Sequence, residues 1–140
     1  MLWYLATPVN PIDSETIESN LNRTVSVWLA LLRSGLWVDA PYVGLCRALD
    51  DARAADRRLG MSIGLELLGR CDGLILAGPR LSSGMQLELN QALEKRLRIV
   101  DAVGMATEAV VEAVNVVECL AEFTESTTEV LEETIKRRST

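Results

Sequence analysis

Apolar and polar positions along the first hundred residues follow two alternating periods. Four short runs are almost continuously apolar and predict buried strands, at residues 2–6, 36–40, 73–77 and 98–102. Between these runs apolar residues recur every three or four positions, which predicts a helix after each of the first three strands.

The boundaries of these helices follow from local signals. Asp13 or Ser14 is expected to cap the first helix, and Gly35 is expected to end it. Residues 41–52 are expected to form a loop, the second helix to begin near Ala52, and the third to run from about Gly84 to Arg96.

Two glycines, Gly60 and Gly64, lie four residues apart in the second predicted helix. They either let the helix pack closely against the sheet or break it near Gly60. Close packing is the interpretation that we favour.

This alternation, with strands that are apolar throughout, is typical of a parallel sheet covered on both faces. Right-handed crossovers then predict a doubly wound, flavodoxin-like α/β fold of four to five strands, with helices on both faces of the sheet. Ligands of such folds bind beyond the carboxyl ends of the strands, near the switch in strand order. The expected binding loops are therefore residues 6–12, 40–50 and 77–84.

The chain changes character after this region, which divides it into an α/β domain at residues 1–104 and a C-terminal helical extension at 105–140. Valines at helical spacing predict a helix in the extension, although valine is β-branched and a strand is also compatible with it. Ser126, followed by Glu129, resembles a capping box that starts a last helix to about Arg138.

Length and charge narrow the classes of partner. A chain of 140 residues suits one domain with a core, and a net charge of −6 argues against nucleic acid or an anionic membrane as the main partner. No apolar run approaches the ~20 residues that cross a membrane. The amino terminus lacks the basic leader of a signal peptide, so we expect a cytoplasmic protein.

The chemistry open to the chain is limited by its composition. It contains no histidine, which removes histidine bases and histidine metal ligands. Its three cysteines, at positions 46, 71 and 119, show neither a zinc spacing nor a disulfide framework. Acid–base chemistry must come from carboxylates, tyrosine, lysine or water, and we expect no metal and no cofactor.

The third predicted helix carries the sharpest candidates. Glu88 lies about one turn into it, where the positive end of the helix would favour an ionised carboxylate beside a ligand. Ser82, Ser83 and Gly84 precede it and could hold a phosphate or a sugar hydroxyl. Equally, Glu88 could stabilise the start of its own helix, and the serines could be ordinary helix caps.

Two further candidates lie at the strands. Asp72 stands at the amino end of the third strand, away from the expected ligand edge, which favours a role in bounding that strand. Tyr4 lies in the first strand, where its phenol either reaches the site or packs as a core aromatic.

Three segments, in order, resemble the nucleoside 2-deoxyribosyltransferase-like superfamily. Residues 4–8 resemble its Y-L/I-A-G-P start, residues 67–76 its L-x-x-C-D segment, and residues 83–92 its S-x-G-x-x-x-E-L-x-x-A segment. Pro41 and Tyr42, after the second strand, also fit many small relatives. The resemblance covers residues 2 to about 102.

The resemblance implies a site and a reaction. A glutamate at Glu88 would attack the anomeric carbon of a nucleoside and release the base, Asp72 would help to bind the substrate, and Tyr4 would orient the nucleophile. It also implies that a neighbouring subunit completes the site, and hence a homo-oligomer. The implied substrate-binding residues are Thr7, Pro8, Tyr42, Ser82, Ser83 and Gly84.

Two departures from the family pattern bear on the substrate. Gln86 stands where many of the enzymes have a second glycine. Ser82 and Ser83 stand where transferases often have an acidic residue, and serine is more typical of members that accept a 5′-phosphate.

The expected function is cleavage or transfer of the N-glycosidic bond of a nucleoside or a nucleoside 5′-monophosphate. Two alternatives stay open from the sequence. One is a non-catalytic module that binds a nucleotide or a nucleotide-derived signal on the same site. The other is an adaptor whose acidic tail binds another protein.

Overall fold

The computed structural model describes residues 1–139, except for the side chains of residues 126–128. Over residues 1–139 the chain forms four strands and five helices. In order they are β1 (Leu2–Ala6), α1 (Ile17–Arg33), β2 (Trp37–Asp39), α2 (Pro41–Ala48), α3 (Ala54–Gly69), β3 (Gly73–Leu76), α4 (Ser83–Glu94), β4 (Arg98–Asp101) and α5 (Thr107–Ser139).

The strands form a single parallel sheet in the order β2-β1-β3-β4. The chain leaves β1 towards one edge of the sheet and returns to its other side for β3, so the strand order switches between these two strands. This topology confirms the doubly wound α/β fold with a four-stranded sheet.

Two apolar clusters cover the two faces of the sheet, because successive side chains of a strand point to opposite faces. Trp3 and Leu5 of β1 pack with Leu31 of α1 and Val114 of α5 on one face. On the other face a second cluster contains Tyr4, Ala6, Leu68, Met85 and Ala92, which brings α3 and α4 against β1 and β3.

Residues 41–52, expected as a loop, instead begin with helix α2. Pro41 occupies its first turn, where proline has no hydrogen bond to lose and its fixed φ suits a helix. Only the stretch after Ala48 connects to α3, which starts at Ala54.

The predicted cap of the first helix is also wrong. Thr16 caps α1, and its side chain accepts a hydrogen bond of 3.0 Å from the Ser19 N–H. Asp13 instead adopts a left-handed backbone with φ of 53°, in the turn that precedes the helix.

Helix α3 runs without a break through Gly60 and Gly64, and both are buried. The alternative of a break near Gly60 is therefore excluded, and close packing holds at both glycines, although only Gly64 faces a side chain of the sheet, Tyr4 of β1. A Cβ atom at Gly60 would lie 3.3 Å from the Leu49 side chain, so this glycine lets α3 approach the end of α2.

The tail is one helix, α5, rather than a helix or strand followed by a separate last helix. The side chain of Ser126, predicted as a cap, lies outside the described residues. Val110 and Val114 are buried in the cluster that also contains Trp3 and Leu5. Along residues 1–139, none of the helices combines the length and the apolar character that crossing a membrane requires.

Candidate functional site

A cavity of about 290 Å³ opens at the carboxyl ends of the central strands. It lies between the loop after β1, helices α2 and α3, and the amino end of α4. This is where parallel sheets of this topology bind ligands, and all three loops expected from the sequence contribute to it. Its lining includes Thr7, Tyr42, Met61, Ser83, Gly84 and Glu88.

Glu88 is the buried acid of this cavity. Only 2% of its surface is exposed, and its Oε2 atom has no hydrogen-bond partner among the described residues. Burial raises the pKa of Glu88 from 4.5 to about 7, because a low-dielectric surrounding disfavours the charged form. The neighbouring Tyr4 hydroxyl opposes this rise in pKa, although the two groups do not meet the geometry of a hydrogen bond.

The expectation that the helix end would favour an ionised Glu88 is therefore wrong. Helix α4 starts at Ser83, which places Glu88 in its second turn. The attraction of the helix dipole for negative charge falls off within the first turn, so desolvation dominates the pKa of Glu88.

Two tyrosines flank this carboxyl. The rings of Tyr4 and Tyr42 meet edge to face, with centroids 6.5 Å apart and planes at 86°. Burial, followed by the nearby charge of Glu88, raises the pKa of both phenols above their ordinary value. Tyr4 is fully buried, whereas Tyr42 lines the cavity, so Tyr42 is the phenol that a ligand would meet.

Gly64 of α3 leaves the space in which the two phenols converge. A Cβ atom at this position would lie 3.0 Å from the Tyr42 hydroxyl and 3.2 Å from the Tyr4 hydroxyl. Contacts that short force a neighbour to move. The missing side chain at Gly64 thus leaves room for the hydroxyls of Tyr4 and Tyr42 near Glu88.

Ser82, Ser83 and Gly84, at the start of α4, have different roles. The Ser82 hydroxyl caps α4 by accepting a hydrogen bond of 3.2 Å from the Met85 N–H. Ser83 and Gly84 line the cavity in the first turn of α4, where backbone N–H groups have no acceptor within the helix. The capping role thus holds for Ser82, which also lines the cavity together with Ser83 and Gly84.

The two residues after β1 also differ. Thr7 lines the cavity, and its hydroxyl shares a hydrogen bond of 2.5 Å with that of Thr24. Pro8 is buried against Gly78, where a Cβ atom would approach the proline ring to 2.7 Å. Pro8 therefore shapes the loop rather than the cavity wall.

Asp72 lies at the opposite edge of the sheet. Its carboxylate accepts a hydrogen bond of 2.7 Å from the Leu2 N–H, and its own N–H donates one of 2.8 Å to the Leu2 carbonyl. These bonds join the amino ends of β1 and β3. Because the strands are parallel, the structure does not bring Asp72 to Glu88. The strand-bounding role predicted from its position is confirmed, whereas the substrate-binding role implied by the resemblance does not fit this place.

Residues 40–50 were expected to contribute to the site, but sequence reasoning missed the part of the wall that α3 supplies, with Arg57, Gly60 and Met61. Arg57 is the only basic side chain that lines the cavity among the described residues, and its Nε donates a hydrogen bond of 3.3 Å to the Asp51 carbonyl. Arg57 lies in the helix expected from about Ala52, and no pattern in the sequence shows which face of that helix meets the cavity. The apolar side chains that α2 and α3 bring to this wall are Leu45, Leu49 and Met61.

The loop after β1, which forms one rim of the cavity, is held in place by side chains from distant parts of the chain. Both terminal nitrogens of Arg80 bond to the Glu15 carboxylate at 2.8 Å, and one also donates to the Asn10 carbonyl at 2.8 Å. Hydrogen bonding from Arg80 lowers the pKa of Glu15 to about 2. The Asn20 side chain holds the Val9 carbonyl at 2.8 Å, so the two rim residues have fixed positions.

No group of three or more cysteine, aspartate or glutamate side chains in the described part of the chain is placed to hold a metal ion. The polar groups of the cavity include the buried Glu88 carboxyl, the Tyr42 phenol and the open end of α4, with Cys46, Asp51, Asp56 and Arg57 on the wall of α2, α3 and their connection.

The fold is that of a small doubly wound α/β protein with a cavity at the carboxyl edge of its sheet. A family model described as a domain of unknown function (DUF7768) matches residues 2–102, and the chain belongs to that family. No curated protein matches the chain.

Proposed function

We propose that this protein cleaves or transfers the N-glycosidic bond of a nucleoside or a nucleoside 5′-monophosphate, with Glu88 as the nucleophile. The observation that carries the proposal is the buried Glu88 carboxyl, unpaired at Oε2, in a cavity at the switch in strand order. The resemblance of residues 4–8 and 83–92 to the deoxyribosyltransferase-like superfamily supports the same role.

The reaction follows from a carboxylate held beside a sugar. Ionised Glu88 forms a bond to the anomeric carbon, and the carbon–nitrogen bond breaks with its electron pair passing to the base, which takes up a proton. Water or a second base then attacks the same carbon and releases Glu88. With a pKa of about 7, Glu88 titrates near neutral pH, so the ionised nucleophile that this reaction needs is accessible there.

The size and lining of the cavity support a substrate of this kind. A volume of about 290 Å³ lies at the lower end of the range for small-molecule sites. The N–H groups of Ser83 and Gly84, with Arg57, would hold the 5′ end or a 5′-phosphate. Tyr42 would contact the sugar, and Asp72 has no part in this arrangement because it lies at the other edge.

A non-catalytic binding module is the second candidate, and the raised pKa of Glu88 favours it. The protonated half of Glu88 is a hydrogen-bond donor, which suits recognition of a ligand oxygen rather than attack on carbon. The two functions share one site and differ in whether a bond is broken.

One experiment separates them. The protein is incubated with a panel of nucleosides and 5′-monophosphates, with and without a second base, and free base is measured by chromatography. We expect base release that Glu88→Gln abolishes and that the control Glu94→Gln, on an exposed part of the same helix, retains. Tight binding without base release would support the module, and release that persists in Glu88→Gln would exclude Glu88 as the nucleophile.

A further inference from the structure

Helix α3 presents two neighbouring rows of residues towards the cavity. Residues four apart on a helix lie above one another on one face. One row therefore contains Arg57 and Met61, and the second row contains Asp56, Gly60 and Gly64. Apart from Gly64, which packs beside the two phenols, all of them line the cavity. The two rows can therefore serve different parts of one ligand.

The first row faces the start of α4. A Cβ atom at Gly84 would lie 3.8 Å from the end of the Met61 side chain. Arg57 lies about one turn from Met61 on the same row, towards the amino end of α3. The role proposed for Arg57 and Gly84 at the 5′ end of the substrate fits this row.

The second row faces α2 and the connection that follows it. A Cβ atom at Gly60 would lie 3.3 Å from the Leu49 side chain. The Asp56 carboxylate accepts a hydrogen bond of 2.9 Å from the Asp50 N–H. The row ends at Gly64, roughly 12 Å along the helix axis from Asp56, where the two phenols lie near the buried carboxyl. A slot between α2 and this row therefore leads from the reacting end of the cavity to Asp56, and it is the space left for the base of a nucleoside.

Two carboxylates at the outer end of this slot have free acceptor atoms. The Asp51 carboxylate accepts no hydrogen bond among the described residues, and Asp56 commits only its Oδ2 atom. Neither carboxylate forms an ion pair within the described part of the chain. The side chains of Leu45 and Leu49 line the slot beside them. A flat ring thus fits between apolar walls, with its polar edge at the two carboxylates.

The chemistry of the slot favours a ligand edge that donates hydrogen bonds. An ionised carboxylate has acceptor atoms only, so the edge that meets Asp51 and Asp56 must carry N–H groups. Adenine, cytosine and guanine carry an exocyclic amino group with two such donors, whereas hypoxanthine, uracil and thymine carry none. At the inner end of the same cavity, Glu88 is 2% exposed and its Oε2 atom has no partner among the described residues, which independently indicates a ligand.

We propose that Asp51 and Asp56 recognise the base of the substrate and select one with an exocyclic amino group. This inference rests on the proposed function, because that function sets the sugar at Glu88 with its 5′ end at α4. A carboxylate that accepts from the amino group of a base discriminates against a base without that group by about tenfold. Asp51 and Asp56 thereby determine specificity, whereas Glu88 forms the bond to the sugar.

Free bases test this selection without any bond being broken. The full chain is dialysed to equilibrium against adenine, hypoxanthine, cytosine or uracil, and the bound base is measured by chromatography. We expect adenine to bind about tenfold more tightly than hypoxanthine, and cytosine about tenfold more tightly than uracil. In Asp51→Asn and in Asp56→Asn the new amide adds an N–H donor, so the preference should fall in each variant and disappear in the double variant. The control Asp50→Asn makes the same change at a neighbouring carboxylate that does not line the cavity, and we expect it to keep the preference of the parent.

The outcomes separate this inference from the proposed function. A preference for amino-bearing bases that the double variant loses supports the selection even if no nucleoside is cleaved. Equal affinity for the paired bases, a preference that survives in the double variant, or no binding of any of the four bases would overturn the selection, even where nucleosides do release base. Circular dichroism checks that each variant is folded. Asp51→Asn breaks no hydrogen bond of the parent side chain, so it keeps the test decisive if Asp56→Asn unfolds.

Discussion

Replacing the buried acid Glu88 with glutamine should make the protein more stable at high pH. In the unfolded chain Glu88 titrates near 4.5, whereas in the folded protein its pKa is about 7. Below pH 4.5 both states keep the proton, and the group does not affect the free energy of unfolding. As pH rises from there towards 7, the unfolded chain loses a proton that the folded protein retains, so the free energy of unfolding falls.

The size of the effect follows from the shift in pKa. A difference of about 2.5 units corresponds to about 3 kcal/mol, fully lost above pH 7. Glutamine has nearly the same shape and does not ionise, so Glu88→Gln escapes this loss. Between about pH 5 and pH 8, the free energy of unfolding of Glu88→Gln should rise relative to the parent by about 2–3 kcal/mol.

Urea denaturation followed by circular dichroism at the two pH values measures this difference. Glu94→Gln is the matched control, since it removes an exposed carboxylate from the same helix, and we expect it to follow the parent protein at both pH values. If the difference between Glu88→Gln and the parent were the same at both pH values, the assignment of a raised pKa to buried Glu88 would be refuted.

Two further substitutions probe the groups around this acid. Gly64→Ala should lower the free energy of unfolding by about 1–3 kcal/mol and reduce base release, because the new methyl group presses on the hydroxyls of Tyr4 and Tyr42. Gly44→Ala, in α2 with open space around it, should instead raise the free energy of unfolding by roughly 0.5–1 kcal/mol in the same denaturation assay. Tyr4→Phe removes the hydroxyl that lowers the pKa of Glu88, so the pH midpoint for Glu88 should move upward, and an unchanged midpoint would contradict the contact.

The strands and the larger helices could be predicted because each satisfies one periodicity over many residues. Helix α2 could not be predicted in the same way. Pro41 and Gly44 are loop signals in a sequence, yet Pro41 is also the residue that a first helical turn accepts without loss. Which of these applies depends on the packing of α2 against α3 and α1, and that packing joins residues distant in the chain.

The loops that form the candidate site could be predicted, but the environment and protonation of its individual side chains could not. Parallel topology placed Glu88, Ser83 and Tyr42 at one edge, because strand direction alone decides which edge a loop reaches. The protonation of Glu88 was predicted in the wrong direction, since burial depends on α2, α3 and β1 together. The wall around Arg57 was missed for the same reason, because it exists only when α2 and α3 pair.

Glu88 and Asp72 differ in their hydrogen bonding, which distinguishes a candidate functional acid from a structural one. Asp72 bonds through both its carboxylate and its backbone to Leu2, so it ties two strands together and has a complete structural explanation. Among the described residues, Glu88 Oε2 and the neighbouring Tyr4 hydroxyl are buried without hydrogen-bond partners. Each such group costs about 1–3 kcal/mol, a large part of the 5–15 kcal/mol that keeps a typical domain folded. Glu88 lines the cavity and Tyr4 does not, so a ligand group that bonds to Glu88 Oε2 would offset part of this cost, and this is the role that we propose for the carboxyl.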